Sequence, residues 1–323
     1  KVMTANRQDN GNVSLIDVET REEQFTQLLE IAKNATSEVA FLYRDNESAV
    51  VLADLLLRNN IPFSLRKPEM NSFGNRVVKD IVAYLTLALN DKDVNAFKSI
   101  CNKGILYLKR QNQDYAIRDV SKKKISIYDA VDNQMQYLKK SYRDRSDSFR
   151  DVMQGVAEIT PLKAIKHLVN SGYGDYLEEK HLDFGKIEIL KNLAHREHDI
   201  KGFLERLKYL ENFLVADHTQ NSNVILSTIH SSKGLEYDYV YMVDVYDGRF
   251  PSSKPNVFSR SKDNANGEQE ERRLFYVGMT RAKNNLTFFN IKDKPSQYID
   301  EIFPEVKQKR VEEELRRAAE EKE

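Results

Sequence analysis

The feature that most constrains the fold is an alternation of apolar strands and amphipathic helices near the start of the chain. Val39–Tyr43 is a continuous apolar run, short enough for a strand that is buried on both faces. A strand pattern at 13–18 precedes it, and helical patterns occupy residues 25–32 and 47–58. Residues 61–63 lead into a further strand. Strand, helix, strand and helix at this spacing predict a parallel α/β sheet.

The middle of the chain has a mainly helical pattern, from about residue 76 to residue 216. Thr160 followed by Pro161 is typical of a helix N-terminus, because the hydroxyl can cap the first turn and proline fits the first helical position. Gly172 predicts a helix stop. The charged stretch 109–150 is interpreted as helices joined by loops. Two further amphipathic helices are predicted at 186–193 and 201–214.

Strand patterns return in the last third of the chain, at 223–229, 239–245 and 285–291. Residues 255–268 are polar and predict an exposed loop, and the charged segment 305–323 predicts a solvated helix or a tail. The expected fold class is therefore α/β, a parallel-sheet domain interrupted by a mostly α-helical insertion. The insertion has about 120 residues, a size typical of a separate domain.

Composition narrows the class of protein. The 323 residues include 50 basic and 50 acidic side chains, so net charge gives no support for nucleic-acid binding, and any DNA contact has to come from local patches. No apolar run approaches the roughly 20 residues of a membrane span, and the first residues contain no apolar signal core. The single cysteine, Cys101, can form no internal disulfide or cysteine-based zinc site, so we expect a small buried side chain in a reducing, cytoplasmic protein.

Three segments carry residue types suited to nucleotide chemistry: 43–46, 228–236 and 270–283. Arginine is permanently charged and offers a fork of donors that fits phosphate oxygens, so Arg44 and Arg281 are candidate phosphate ligands. Gly234 would let the backbone approach a ligand, and the carboxylate of Glu236 could accept hydrogen bonds from ribose hydroxyls.

Each of these features taken alone also has a structural interpretation. An arginine near a strand end is usually part of a surface ion pair, and the charged run 268–273 is typical of a solvated helix face. His230 alone would more often be a structural hydrogen-bonding residue than a DNA contact. The three segments in this order are more specific than any one of them.

Together the segments resemble motifs IV, V and VI of superfamily 1 DNA helicases of the UvrD/Rep/PcrA type. Residues 228–236 match the pattern T-x-H-x-x-K-G-L-E, and residues 276–282 match Y-V-x-x-T-R-A, at every fixed position. Residues 43–46, Tyr-Arg-x-Asn, match the first motif. Further resemblances, to the loop after motif V and to the family's inserted helical domain, are found at 248–251, 171–173 and 186–214.

The resemblance implies a RecA-like domain, called 2A, that is interrupted by a helical domain, called 2B. The implied domains are residues 1–98 and 222–305 for 2A, 99–221 for 2B, and 306–323 for a charged C-terminal helix or tail.

The resemblance also implies roles for individual residues. Arg44 and Arg281 would reach the γ-phosphate of ATP, and Glu236 would bind the ribose. Thr228 and His230 would face single-stranded DNA.

Three further features have weaker implications. Lys233 would add a DNA contact and Gly234 would lie at the nucleotide, with structuring of their loop as the alternative for both. Residues 102–105 are similar to the loop that contacts the DNA backbone at the start of domain 2B, with an ordinary turn as the alternative.

Two features of the family's ATP site do not occur in this sequence. The phosphate-binding pattern G-x-x-x-x-G-K-[ST] is absent, and Val245 follows Asp244 where a magnesium-binding strand needs glutamate. We therefore expect no metal site within this chain, with ATP and Mg²⁺ bound mainly by an N-terminal RecA-like domain that the sequence lacks. The chain begins with lysine instead of methionine, which fits the C-terminal half of a 3′-to-5′ DNA helicase. Single-stranded DNA, duplex DNA and that N-terminal domain are the expected partners, with no membrane.

Two alternatives remain open at this point. One is a non-catalytic DNA-binding or partner-docking module, although such a module would have no need for Arg44, Glu236 and Arg281. The other is the helicase part of a helicase–nuclease.

Because the phosphate-binding loop is missing, we expect the purified chain neither to hydrolyse ATP nor to unwind DNA. Phosphate release with and without single-stranded DNA measures this directly, and a mock purification controls for contaminating host helicase. DNA-stimulated hydrolysis that co-purifies with the chain and is absent from the mock would contradict the prediction.

Overall fold

Residues from both ends of the chain build one parallel sheet, whereas the middle of the chain is helical. The computed structural model describes residues 11–66, 73–136, 140–215, 222–252 and 264–320. It divides into two compact units, a sheet unit of residues 1–69 and 217–323 and a helical unit of residues 70–216. The boundaries predicted from the sequence lie later in the chain, after 98 and 221, and the assignment of domains 2A and 2B stays a prediction.

Strands in the described residues are β1 (Asn12–Val18), β2 (Val39–Tyr43), β3 (Ser64–Leu65), β4 (Asn102–Lys103), β5 (Leu106–Tyr107), β6 (Val224–Thr228), β7 (Tyr237–Met242) and β8 (Ala282–Ile291). Six of them form one sheet in the order β1-β8-β7-β2-β6-β3, and all its neighbours are parallel. Strand β2 is buried along its whole length, as expected of a strand covered on both faces. The α/β fold class predicted from the sequence is confirmed.

Helices of the sheet unit are α1 (Arg21–Lys33), α2 (Asn46–Arg58), α12 (Asn264–Met279), α13 (Gln297–Ile302) and α14 (Pro304–Glu320). Those of the helical unit are α3 (Arg76–Leu89), α4 (Val94–Ile100), α5 (Arg110–Lys123), α6 (Ile127–Met135), α7 (Lys140–Ala157), α8 (Pro161–Leu168), α9 (Gly174–Glu179), α10 (Gly185–Ala194) and α11 (Ile200–Val215). No helix among them is long and apolar enough to cross a membrane.

Capping side chains fix the starts of the two helices that follow β1 and β2. The Thr20 hydroxyl accepts a hydrogen bond from the Glu23 backbone N–H at 3.2 Å, and the Asp45 carboxylate accepts one from the Glu47 backbone N–H at 2.9 Å. Each cap satisfies a backbone donor that has no partner inside its helix. Helix α2 therefore begins two residues after the predicted site residue Arg44.

An aromatic cluster holds α12 against the sheet. The rings of Phe275 and Phe288 are stacked, with centroids 5.5 Å apart, and Phe250 meets Phe275 edge-on at 5.2 Å. Gly278 allows the closest approach, because a Cβ there would lie 2.9 Å from Met242 and 3.2 Å from Ile229. Helix α12 is thus packed tightly onto β7 and the residue that follows β6.

A buried carboxylate, Asp244, joins the end of β7 to α1 and α2. Arg21 donates two hydrogen bonds to it, at 2.9 and 2.6 Å, and Ser48 and Gln24 donate at 2.5 and 2.8 Å. Burial alone would raise the pKa of Asp244, but Arg21 and these hydrogen bonds hold it well below its usual range. Asp244 is therefore ionised in the folded protein, and its role is structural. The described residues contain no cluster of His, Cys, Asp and Glu suited to a metal ion.

A second buried carboxylate, Asp80, organises the helical unit. Lys103 forms an ion pair with it, and the Tyr173 hydroxyl donates to it at 3.0 Å. Gly104 lies in the turn between β4 and β5 with φ +60°, and a Cβ there would lie 2.8 Å from the Tyr173 Cα. Only glycine fits both the backbone conformation and the space at this turn.

Most elements predicted from the sequence are present, with three differences. Residues 264–268 are helical instead of part of a loop, and 255–263 lie outside the described residues. Gly172, with φ +116°, interrupts the helical path, but the chain continues directly into α9. The short strands β4 and β5 were not predicted, because two residues carry no detectable period. Cys101 is a free, buried thiol, as expected.

Replacing Asp244 with asparagine should lower the free energy of unfolding at pH 7 by about 3–5 kcal/mol, because Arg21 would keep a buried charge without its partner. The difference in unfolding free energy between the variant and the wild type should shrink as pH falls below about 4, where the aspartate of the unfolded chain takes up a proton. The Asp244 carboxylate of the folded wild type resists protonation. Its contribution to stability is therefore present above that pH and is lost progressively below it. Urea unfolding followed by circular dichroism measures both effects.

Glu30→Gln is the matched control, because it removes the exposed pair between Glu30 and Lys33 on the same unit. It should change the unfolding free energy by less than about 1 kcal/mol. If Asp244→Asn is as stable as the wild type at pH 7, the buried pair does not have the role assigned to it.

Candidate functional site

Two of the predicted segments leave the sheet at the carboxyl ends of neighbouring strands. Tyr43 ends β2 and is in register with Thr228, which ends β6. The Ile229 backbone N–H donates to the Tyr43 carbonyl at 3.0 Å and keeps the two chain segments together past the strand ends. This arrangement brings together the predicted site residues Arg44, Thr228, His230 and Lys233. The region that they occupy, at the carboxyl ends of β2 and β6, is here called the carboxyl edge.

A tight turn after β6 exposes His230 and Lys233 to solvent. The Thr228 hydroxyl accepts a hydrogen bond from the Ser231 backbone N–H at 3.0 Å and so closes the turn. Gly234 has φ +82°, and a Cβ at this position would meet no atom within 4 Å. The backbone conformation therefore requires this glycine, while the space in front of it is open.

The electrostatic environment of His230 disfavours its charged form. Although the side chain is exposed, partial loss of hydration lowers its pKa, and the positive charges of Lys233 and Arg44 lower it further. Glu270 and Glu271 act in the opposite direction but do not reverse the effect. His230 is therefore mainly neutral at pH 7 and can act as a hydrogen-bond donor, acceptor or stacking surface.

The third segment, residues 270–283, runs along the sheet toward the amino ends of the strands. Helix α12 ends just before β8, whose first residue, Ala282, is in register with Tyr237 at the start of β7. The Tyr237 backbone N–H donates to the Arg281 carbonyl at 2.8 Å. Glu236 and Arg281 therefore lie together at the amino ends of β7 and β8, here called the amino edge.

Arg281 is held at this edge by uncharged acceptors. Its guanidinium donates to the carbonyls of Val277 and Leu235, at 3.0 and 2.8 Å, and to the Thr280 hydroxyl at 3.0 Å. No carboxylate in the described part of the chain pairs with it. A guanidinium has five N–H donors, so two remain for another ligand. The neighbouring carboxylate of Glu236 is exposed.

Arg44 has a different environment. Its guanidinium makes a bidentate ion pair with Glu271, with N–O distances of 2.7, 2.9 and 3.1 Å. The side chains are 19% and 7% exposed, so the pair is largely shielded from water. Glu271 also accepts a hydrogen bond from the Ser252 backbone N–H at 3.2 Å. The charge of Arg44 is thus already neutralised.

The structure does not bring Arg44 and Arg281 together. Val39 is in register with Tyr239, so Tyr43 lies four residues beyond that level and Tyr237 lies two residues before it. Six residues of strand span about 20 Å. The ten residues of chain from Glu271 to Arg281 are long enough for a separation of this order, because an α-helix rises about 1.5 Å per residue. The backbones of the two arginines that the sequence assigned to one phosphate therefore lie near opposite ends of the strands.

Two residues that shape the carboxyl edge were not among the predicted site residues. Glu271 lies in a charged run typical of a solvated face, yet it is buried. Its spacing from Leu274, Phe275 and Gly278 follows the helical repeat, and that periodicity could have revealed it. Arg249 pairs with Asp45 and Glu47 and fixes the loop after β7 to the start of α2.

A known protein family matches most of the chain. The family model described as UvrD-like helicase C-terminal domain matches residues 1–293. The chain belongs to this family. The six-stranded parallel sheet of this UvrD-like chain is the RecA-like fold expected from its motifs.

Curated relatives of this UvrD-like chain are DNA helicases. DNA helicase II of Escherichia coli (strain K12) is 29% identical over 301 residues, which cover 83% of this chain and 40% of that protein. ATP-dependent DNA helicase Rep of the same strain is 28% identical over 298 residues, 85% of this chain and 43% of that protein. DNA helicase II of Rickettsia typhi is 27% identical over 252 residues, 71% of this chain and 38% of that protein. The chain thus spans about two fifths of the length of these relatives.

Replacing Lys233 with glutamine should raise the pKa of His230, because one of the charges that disfavour the imidazolium form is removed. A ¹H–¹³C NMR titration of the imidazole C–H groups measures this. The wild-type midpoint should lie below the ordinary value of about 6.5. Lys33→Gln, at the end of α1 in the same unit and before the start of β2, is the control and should leave the midpoint unchanged. A wild-type midpoint at or above the ordinary value would contradict the assignment.

Proposed function

We propose that this chain is the C-terminal part of an ATP-dependent DNA helicase and supplies one half of its nucleotide site. The observation that carries the proposal is the environment of the Arg281 guanidinium. Its guanidinium lies at the amino edge with N–H donors to spare and with no carboxylate of the described residues beside it. An arginine in this state can neutralise a phosphate without first breaking an ion pair.

The amino edge also offers the other groups that a nucleotide needs. Glu236 is an exposed carboxylate that can accept hydrogen bonds from ribose hydroxyls, and Gly234, in the turn between the two edges, leaves open space before it. ATP with Mg²⁺ would supply the phosphoryl group and would be held mainly by an N-terminal RecA-like domain. Arg281 would stabilise the negative charge that spreads over the phosphoryl oxygens during transfer. Arg44 is left out of this half-site because Glu271 neutralises it at the other edge.

The carboxyl edge is the proposed contact with single-stranded DNA. Lys233 is exposed and can pair with a backbone phosphate, while Thr228 and the neutral His230 can form hydrogen bonds or stack. Closure of the two RecA-like domains around ATP would then be coupled to movement along the strand, with 3′-to-5′ direction and duplex DNA as the unwound substrate.

In the full-length protein, Arg281→Ala should slow single-turnover ATP hydrolysis by about 10³–10⁵, the contribution of an arginine finger. ATP affinity should change little, because the arginine acts mainly on charge that develops in the transition state. Arg281→Lys should be nearly as damaging, because lysine keeps the charge but loses the planar fork. Quenched-flow hydrolysis, nucleotide titration and thermal melting on the same samples measure the three quantities.

Arg273→Ala is the matched control, because it removes an exposed arginine of α12 that pairs with Glu270. It should leave hydrolysis unchanged. The alternative role for Arg281 is to fasten the Leu235 carbonyl to α12. In that case Arg281→Ala would lower the melting temperature, and the folded enzyme would turn over at a near-normal rate.

A further inference from the structure

A closed ring of hydrogen bonds holds the Arg281 guanidinium at the end of α12. The Arg281 Nε donates to the Val277 carbonyl at 3.0 Å, and its Nη2 donates to the Thr280 hydroxyl at 3.0 Å. The same hydroxyl donates to the Val277 carbonyl at 2.9 Å, which closes the ring. The Thr280 hydroxyl is therefore an acceptor for the arginine and a donor to the backbone at the same time.

The ring depends on where α12 ends. Val277 lies in the last turn of this helix, where backbone carbonyls lack a partner further along the helix axis. The Arg281 backbone N–H, four residues on, donates to the Gly278 carbonyl at 3.1 Å. The Val277 carbonyl accepts from the two side chains, and a carbonyl oxygen has two lone pairs for this purpose. The helix end and the residue that follows it thus build the ring together.

The acceptors around Arg281 fix the plane of its guanidinium. The N–H groups of Nε and Nη2 point in parallel on one side of the guanidinium, and the ring occupies that side. Nη1 is held separately, because it donates to the Leu235 carbonyl at 2.8 Å. Each of the two Nη nitrogens therefore keeps one N–H for a ligand. Among these acceptors the Thr280 hydroxyl belongs to a side chain, so a single substitution can remove it.

We propose that Thr280 is a positioning residue that sets the plane of the Arg281 guanidinium for ATP hydrolysis. This inference rests on the proposed function. In that reaction a water oxygen bonds to the terminal phosphorus, the bond from that phosphorus to the bridging oxygen of ADP breaks, and the water gives up a proton. Arg281 stays protonated throughout. Its effect depends on the angle at which its N–H groups meet the phosphoryl oxygens, and Thr280 fixes that angle.

Thr280→Val in the full-length protein tests this role, because valine has nearly the same shape as threonine but no hydroxyl. Single-turnover hydrolysis at saturating ATP should slow by about tenfold or more, the rate equivalent of one hydrogen bond to a charged group. ATP affinity and melting temperature should stay near the wild-type values, because the position is exposed and the carbonyl contacts of Arg281 remain. Quenched-flow hydrolysis, nucleotide titration and thermal melting measure the three quantities.

Further variants separate positioning of Arg281 from a purely structural role. Thr280→Ser keeps the hydroxyl and should hydrolyse ATP at a near-normal rate. Thr26→Val is the matched control, because the exposed Thr26 hydroxyl also donates to a helix carbonyl, that of Glu22 in the first turn of α1. It should leave hydrolysis unchanged. Thr280→Val added to Arg281→Ala should cause no further loss, because the hydroxyl acts through the arginine.

Three results would overturn the inference. One is wild-type hydrolysis in Thr280→Val while Arg281→Ala is slow. Another is an equal loss in Thr280→Val and Thr280→Ser, because the hydroxyl would then not be the group that matters. The third is a loss in Thr280→Val that follows its melting temperature or persists in full in the Arg281→Ala background, which would make Thr280 only a cap for α12. Failure of the proposed function has a different signature, because Arg281→Ala itself would then hydrolyse ATP at a near-normal rate.

Discussion

The common direction of the six strands is the constraint on which the rest of the sheet unit depends. In a parallel sheet every strand ends at one edge and begins at the other, so residues after strands and residues before strands lie far apart. Thr228 and His230 follow a strand, whereas Glu236 and Arg281 precede one. The chain thus carries its two groups of candidate ligands on opposite edges, and α12 is a direct connection between them.

The arginines of the sheet unit differ in what neutralises them. Arg21 and Arg44 are fixed by the buried carboxylates Asp244 and Glu271, and these pairs hold loops and helix starts in place. Within the described residues, Arg281 is held only by neutral acceptors. Because a buried ion pair is costly to break, an arginine without one is the better candidate for a phosphate. This difference in charge compensation is the reason why Arg281 is proposed as the phosphate ligand.

The sequence predicted the parallel sheet and the helices well, because apolar runs such as Val39–Tyr43 and the periodicity around it are local signals. It also identified the segments of the candidate site. It could not predict that the backbones of Arg44 and Arg281 lie near opposite ends of the strands, because strand order and register are set by pairing between distant segments. Nor did it reveal the partner of Arg44. A run of charged residues shows that a segment is polar, but it does not show which of its carboxylates faces the core. The roles of the site residues stay predictions.

A structure of the full-length protein with a non-hydrolysable ATP analogue and single-stranded DNA tests the central claim most directly. The claim is that the amino edge is half of the nucleotide site and the carboxyl edge contacts DNA. The predicted result has the Arg281 guanidinium at hydrogen-bonding distance, about 2.7–3.1 Å, from the terminal phosphate, with Arg44 still paired to Glu271 and DNA beside His230. A phosphate contacted by Arg44, with Arg281 still bound to the Leu235 and Val277 carbonyls and the Thr280 hydroxyl instead of a phosphate, would contradict it.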